Sequence, residues 1–271
     1  MTNDETVQLE VGDHIARVVL NRPEKHNAID GSMMSGLVDA AAAIAADRSV
    51  RVVVLSGAGP SFCAGLDSSN FAAMVSGDLA ADNDRVQEAY ADRSPQGANR
   101  AQQVGWAWHE LEVPVIAAVH GNALGGGFNL ALGADIRVVA PDATFGFVEV
   151  TWGLIPDMSA SQSLRRLVGA ERAKYLMMTG RRFSGAEALQ WGLAAELADD
   201  PTARAYQLAS ELTAHNPDAL RAVKAVIDAS IDLDTAGGLD LETVRSGALL
   251  GSTNQVEAVM ARLEDRPAEF D

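Results

Sequence analysis

Two carboxylic acids stand out as candidates for chemistry. Glu149 and Asp157 lie eight residues apart in Phe145-Gly146-Phe147-Val148-Glu149-Val150-Thr151-Trp152-Gly153-Leu154-Ile155-Pro156-Asp157, a strongly apolar stretch. Burial without a cationic partner raises a carboxyl pKa toward neutrality, which suits a general acid or base. Either could instead cap a helix; Asp157 precedes Met158-Ser159-Ala160 and could serve as an N-cap. Two further stretches set small residues at the end of an expected strand. They are Phe62-Cys63-Ala64-Gly65-Leu66-Asp67 and His120-Gly121-Asn122-Ala123-Leu124-Gly125-Gly126-Gly127-Phe128-Asn129-Leu130. Glycine permits positive φ and lets a ligand approach the backbone closely. The glycine triplet is placed to open a helix, where N–H groups are unpaired and the dipole is positive. Two such amides converging on one oxygen make an oxyanion hole. Its pull matters most for a thioester whose carbonyl becomes an enolate as a proton leaves the α-carbon. Ordinary close packing of a helix on a sheet would call for the same glycines.

Other chemistries find less support. Gly57-Ala58-Gly59-Pro60-Ser61-Phe62 begins like a dinucleotide fingerprint, but its third glycine is missing and Pro60 replaces a useful amide. Gly59-Pro60-Ser61-Phe62-Cys63 fails the nucleophile-elbow pattern at its last position. There is no Gly-Lys-Ser/Thr phosphate loop. His14, His26, His109, His120 and His215 show no metal spacing, so no metal is expected. Cys63, the single cysteine, excludes an internal disulfide and is expected to be a small buried hydrophobe.

The elements that must position these residues follow a βα order. Val7 to Val11 and Ile15 to Leu20 read as strands joined at Gly12-Asp13, and Asp30 can cap a helix bearing Met34, Leu37, Ala41 and Ile44. Arg51 to Leu55, Pro114 to Val119 and Ile136 to Ala140 read as further strands. Ser76 to Gln102 is the least apolar stretch, expected as a surface loop or solvated helix, with a lid as the alternative. From Ser159 onward the periodicity is helical, and Ser184-Gly185-Ala186-Glu187 has capping-box spacing. The expected division is a catalytic core over residues 1–200 and a C-terminal helical region over 201–271.

Composition narrows the partners. Among 271 residues, 37 acids face 21 bases, a formal charge of −16. Such a chain repels a phosphate backbone, so no nucleic-acid partner is expected. No apolar run reaches the 18 or so residues of a membrane span, so no membrane partner is expected either. A cytoplasmic location is the expectation.

In order, four stretches together resemble the crotonase superfamily, the enoyl-CoA hydratase/isomerase family. Leu20-Asn21-Arg22-Pro23-Glu24-Lys25-His26-Asn27-Ala28 resembles the opening CoA loop. Phe62 through Asp67 resembles the first oxyanion loop. Gly121 through Leu130, followed by Gly133-Ala134-Asp135-Ile136, resembles the second, and Phe145 through Pro156 the catalytic-glutamate segment. The resemblance implies an α/β fold, a spiral of ββα units with a C-terminal helical trimerisation region, in trimers or dimers of trimers. It implies that the amides of Leu66 and Gly126 hold a thioester oxygen and that Glu149 is the general base. CoA would enter as part of the acyl-CoA substrate, with no separate cofactor. Lys25, Ala28, Ala64, Gly125 and Asn129 would lie along the substrate, and Asp67 would fix its loop through backbone bonds.

Departures from the family pattern bear on the reaction. Hydratases of the family carry a second glutamate where this chain has Asn129, and a neutral amide cannot exchange a proton near pH 7. Asp157 falls where dienoyl-CoA isomerases place an additional acid. Double-bond isomerisation is therefore favoured, with hydration by Glu149 alone, or CoA binding without catalysis, as alternatives. Arg262 and Asp265 stand where the family commonly has an aromatic and a lysine, leaving Arg262, Arg266 or Lys25 to meet the CoA phosphates.

Overall fold

The computed structural model describes residues 6–76, 91 and 93–271, and the elements below are numbered among these. Most of the polar stretch within 76–102 lies outside the described residues.

Nine strands occur in chain order: β1 (Val7–Gly12), β2 (Ile15–Leu20), β3 (Val52–Gly57), β4 (Val115–Val119), β5 (Asn122–Leu124), β6 (Ile136–Val139), β7 (Thr144–Gly146), β8 (Arg182–Ser184) and β9 (Glu196–Leu197). Six form one sheet in the order β1-β2-β3-β4-β6-β9, and β5-β7-β8 form a second. The β1–β2 hairpin turns through Asp13 and His14, with φ of 51° and 64°. Two successive positive φ angles match the right-handed twist of paired strands. The remaining pairings of the large sheet are parallel.

Parallel strands covered on both faces need apolar residues at every position. In β3, Val53 and Leu55 enter the main core with Phe62 and Trp108, while Val52 and Val54 face a second cluster containing Ala205 and Ala209. The helices are α1 (Gly31–Ala46), α2 (Ser68–Ser76), α3 (Arg100–Glu110), α4 (Gly126–Gly133), α5 (Ala160–Leu167), α6 (Ala170–Thr179), α7 (Gly185–Gln190), α8 (Pro201–Thr213), α9 (Pro217–Ser230), α10 (Thr235–Leu249) and α11 (Thr253–Leu263). Asp30 caps α1 by accepting from Met33 N–H, and the Ser184–Glu187 capping box opens α7, both as the sequence predicts. Asp157 is not a helix cap: α5 starts at Ala160, behind Ser159 in a left-handed conformation with φ 74°.

Helix α8 packs on the sheet through the fully buried Ala205 and Ala209, so the close-packed body extends past residue 200. Beyond it, α9 is fastened by Lys224, whose Nζ donates to Asp135 Oδ2 at 2.8 Å and to Val113 O at 3.1 Å. No helix among the described residues is long and apolar enough to cross a membrane.

Candidate active site

The site forms where the two sheets meet. Parallel bridges join Ile29 to Leu66 and Cys63 to Ala123, threading the first small-residue loop between the N-terminal loop and β5. Ile29 N–H donates to Gly65 O and Asp67 N–H donates to Ile29 O. In a parallel bridge the bonds come from the flanking residues, which turns the N–H of Leu66 itself to the opposite side. There it has no hydrogen-bond partner among the described residues.

On the facing side, Gly125 adopts φ 51° and serves as the N-cap of α4. Its N–H is taken by Gly146 O at 2.8 Å, which leaves Gly126 N–H as the first free amide of the helix. Glycine is required on both loops. A Cβ on Gly65, at φ 92°, would lie 2.6 Å from Leu124 O and 3.6 Å from Gly126 N. A Cβ on Gly127 would lie 2.3 Å from Cys63 O. The two loops are pressed backbone to backbone, with the amides of Leu66 and Gly126 at one cavity. Close packing and two amides without partners among the described residues therefore coexist here.

That cavity has a volume of about 830 Å³ and is lined by Ala64, Leu66, Gly125, Gly126, Glu149 and Asp157 among others. Glu149 opens a short 3-10 turn (Glu149–Trp152) that ends at Gly153 in the left-handed region. It is 9% exposed, and a Cβ on Gly125 would lie 3.5 Å from its Oε1. Asn129 Nδ2 donates to Oε1 at 3.1 Å, whereas Oε2 is buried with no partner among the described residues. Burial pushes the Glu149 carboxyl above the usual range; bonds from its own N–H and Asn129 oppose this, and the charge of Asp157 adds to it. Desolvation also raises Asp157, at the rim of the cavity. The two carboxylates named from the sequence thus share one cavity.

The remaining predicted residues lie around it. Asn129, fully buried, sits beneath the cavity one turn into α4. Asp67 faces its own loop: Oδ1 accepts from Ser69 N–H and Oγ, both at 2.9 Å, and Oδ2 pairs with Arg22 at 3.1 Å. The Ser69 bonds first, and Arg22 with them, hold its carboxyl below the usual range. Lys25 is exposed and Ala28 buried on the N-terminal loop, joined to the loop from Phe62 to Asp67 by Ala64 N–H donating to His26 O at 2.9 Å. Neither Lys25 nor Ala28 lines the cavity. Arg266 pairs with Glu257 at 2.6 Å and Glu264 at 2.7 Å. Cys63 is buried, with its thiol pushed up to about 12 by desolvation.

Several residues escaped sequence reasoning. Arg22 ties the N-terminal loop to Asp67 and to Asp30, the latter at 3.2 Å. Asn99, Gln102, Met158 and Arg182 also line the cavity. The Asn99–Gln102 capping-box pattern was the one available signal, and it marks a helix start, not a wall. His109, Asp135 and Asp228 carry potential ligand atoms within 4.8 Å of one another despite their remote positions in sequence. There the Lys224 ammonium already sits on Asp135.

Residues 10–271 match the family model described as Enoyl-CoA hydratase/isomerase. The bovine (Bos taurus) mitochondrial enoyl-CoA hydratase domain-containing protein 2 is 35% identical, over 94% of this chain and 84% of its own. The peroxisomal Delta(3,5)-Delta(2,4)-dienoyl-CoA isomerase of Arabidopsis thaliana is 29% identical over 98% and 96%. The crystal structure of an enoyl-CoA hydratase from Bacillus anthracis superposes with a TM-score of 0.86 at 30% identity, covering 98% of each chain.

Proposed function

Because the chain belongs to the enoyl-CoA hydratase/isomerase family and shares its fold, it is an enzyme of that family, and we propose that it moves a double bond along an acyl-CoA thioester. In this proposal the thioester oxygen accepts from Leu66 N–H and Gly126 N–H. Glu149 takes a proton from the carbon beside the thioester of a 3-enoyl-CoA. The C–H electrons pass into a dienolate whose charge rests on that oxygen, and the same proton returns at the far end of the conjugated system. The C3–C4 double bond becomes C2–C3, and atoms and charge balance within the substrate. Donors aimed at a developing oxyanion act where they stabilise the transition state more than the ground state. The chemistry uses no group beyond the thioester, and Asp157 would supply a second acid for dienoyl substrates.

The observation that carries this proposal is a buried carboxylate, Glu149, whose Oε1 accepts from an uncharged neighbour, Asn129 Nδ2, at 3.1 Å, while its Oε2 has no partner among the described residues. Two-carboxylate handling of water has no second carboxylate at that position. The test is turnover of 2-enoyl-, 3-enoyl- and 3,5-dienoyl-CoA by the wild type and Glu149→Gln. Isomerisation should lead in the wild type and fall about 10²- to 10⁴-fold in the variant. Faster hydration of 2-enoyl-CoA would select hydratase chemistry instead, and no turnover despite CoA binding would select the non-catalytic alternative.

Assembly into a trimer or a dimer of trimers is proposed with it. The C-terminal helices leave Val223, Ile227, Val244, Leu250 and Leu263 exposed, with Leu250 at 75% and Leu263 at 78%. Burial of these side chains against other copies of the chain would remove apolar surface from water, which favours association.

A further inference from the structure

Asn129 makes more bonds than a filler of a buried position requires. Nδ2 donates to Gly125 O at 2.8 Å and to Glu149 Oε1 at 3.1 Å, using both amide hydrogens. Oδ1 accepts from Ala160 N–H at 3.1 Å. That N–H opens α5, and Ser159 before it offers no side-chain cap. Helix N-termini leave such amides without an intrahelical partner, so Asn129 caps α5 from another helix. The turn held in this way carries Asp157 and Met158 to the cavity.

We infer that Asn129 is a positioning residue coupling the two carboxylates: it ties down Glu149 through Oε1 and anchors the Asp157 turn through Ala160. This rests on the proposed role of Glu149. One side chain thereby sets both the rotamer of the base and the seat of the second acid. A carboxylate at this position could still accept from Ala160, but would lose both donors and set a like charge against Glu149. The neutral amide is then a requirement of a one-base site, not merely the lack of a second base.

The test combines four single variants and one double variant of the 271-residue chain, assayed on whichever enoyl- or dienoyl-CoA the wild type turns over. Asn129→Ala should lower kcat about 10- to 100-fold, the scale expected of a misplaced reacting group, with KM changed less than about threefold. The acid limb of its kcat/KM profile should move to higher pH, since a bond stabilising the ionised carboxyl is lost. The effect of Asp157→Asn on a dienoyl substrate should shrink in the Asn129→Ala background, giving a non-additive double-mutant cycle. Asn129→Asp, near-isosteric and able to keep the Ala160 bond, should move the acid limb upward as well, and it answers the question if Asn129→Ala does not fold. An unchanged acid limb in a folded variant, a change in KM alone, or strict additivity with Asp157→Asn would overturn the inference. Glu149→Gln separates the two failures. If it retains wild-type activity, the Glu149 role falls; if it is inactive while Asn129→Ala equals wild type, only the inference falls.

Discussion

A base that removes a proton from carbon must be ionised when the substrate arrives, yet basic enough to compete for that proton. In the proposed role, Glu149 would meet both demands through its surroundings. Burial lifts its pKa, and the bonds from Asn129 and its own backbone keep the lift within bounds. The sign of the pH dependence follows. Protonated Glu149 cannot accept, so kcat/KM should fall as pH drops through a pKa above the ordinary glutamate value of about 4.3. A profile of kcat/KM from pH 4 to 8 checks this; an acid limb at or below the ordinary value would contradict a desolvated base. The same elevation works against folding at neutral pH, because the native state holds its proton more tightly than the unfolded chain. A carboxylate kept under such conditions is common at functional sites. It was also the most legible part of the sequence: Glu149 and Asp157 were visible as acids in apolar surroundings. What could not be seen was their relation to Asn129, since the bond from Nδ2 to Oε1 spans 20 positions.

At the level of elements, the sequence is legible where local chemistry decides. The Asp30 cap, the Ser184–Glu187 box and a helix opening within the glycine triplet are all properties of four or five consecutive residues. The strands β5, β7 and β8 have three residues each and exist only through their mutual pairing, which periodicity cannot reveal. Asp157 failed as a cap because Asn129 already serves the first amide of α5. The two loops of the proposed oxyanion site make a further prediction about glycine. In Gly127→Ala the new Cβ would meet backbone, Cys63 O at 2.3 Å, which neither loop can yield without moving the other. A loss of about 1–3 kcal/mol or more in urea unfolding is expected. In Gly126→Ala the Cβ would meet Met158 Sδ at 2.9 Å and Ile29 Cδ1 at 3.2 Å, the ends of flexible side chains. That variant should lose less stability, and should lower kcat/KM as Met158 is displaced at the cavity wall. Equal stability losses in the two variants would contradict the difference drawn between α4's packing face and its cavity face.

For the whole molecule, the net charge of −16 coexists with an anionic CoA ligand in the proposed reaction. The reacting end is to be held by backbone amides, which add no formal charge, while the exposed Lys25 stays outside the cavity. The apolar surface of α9, α10 and α11 predicts assembly: light scattering should give three or six times the chain mass of 28.5 kDa, and a monomer would contradict it. None of this matters to function unless Glu149 moves a proton at the carbon beside the thioester. The most direct measurement is therefore hydrogen exchange at that carbon, followed by mass spectrometry of acyl-CoA incubated in D₂O with wild type and with Glu149→Gln. Enzyme-dependent deuterium uptake by the wild type, reduced about 100-fold or more in a folded Glu149→Gln that still binds CoA, is the predicted result. Uptake at the wild-type rate in Glu149→Gln would contradict the assignment of the base.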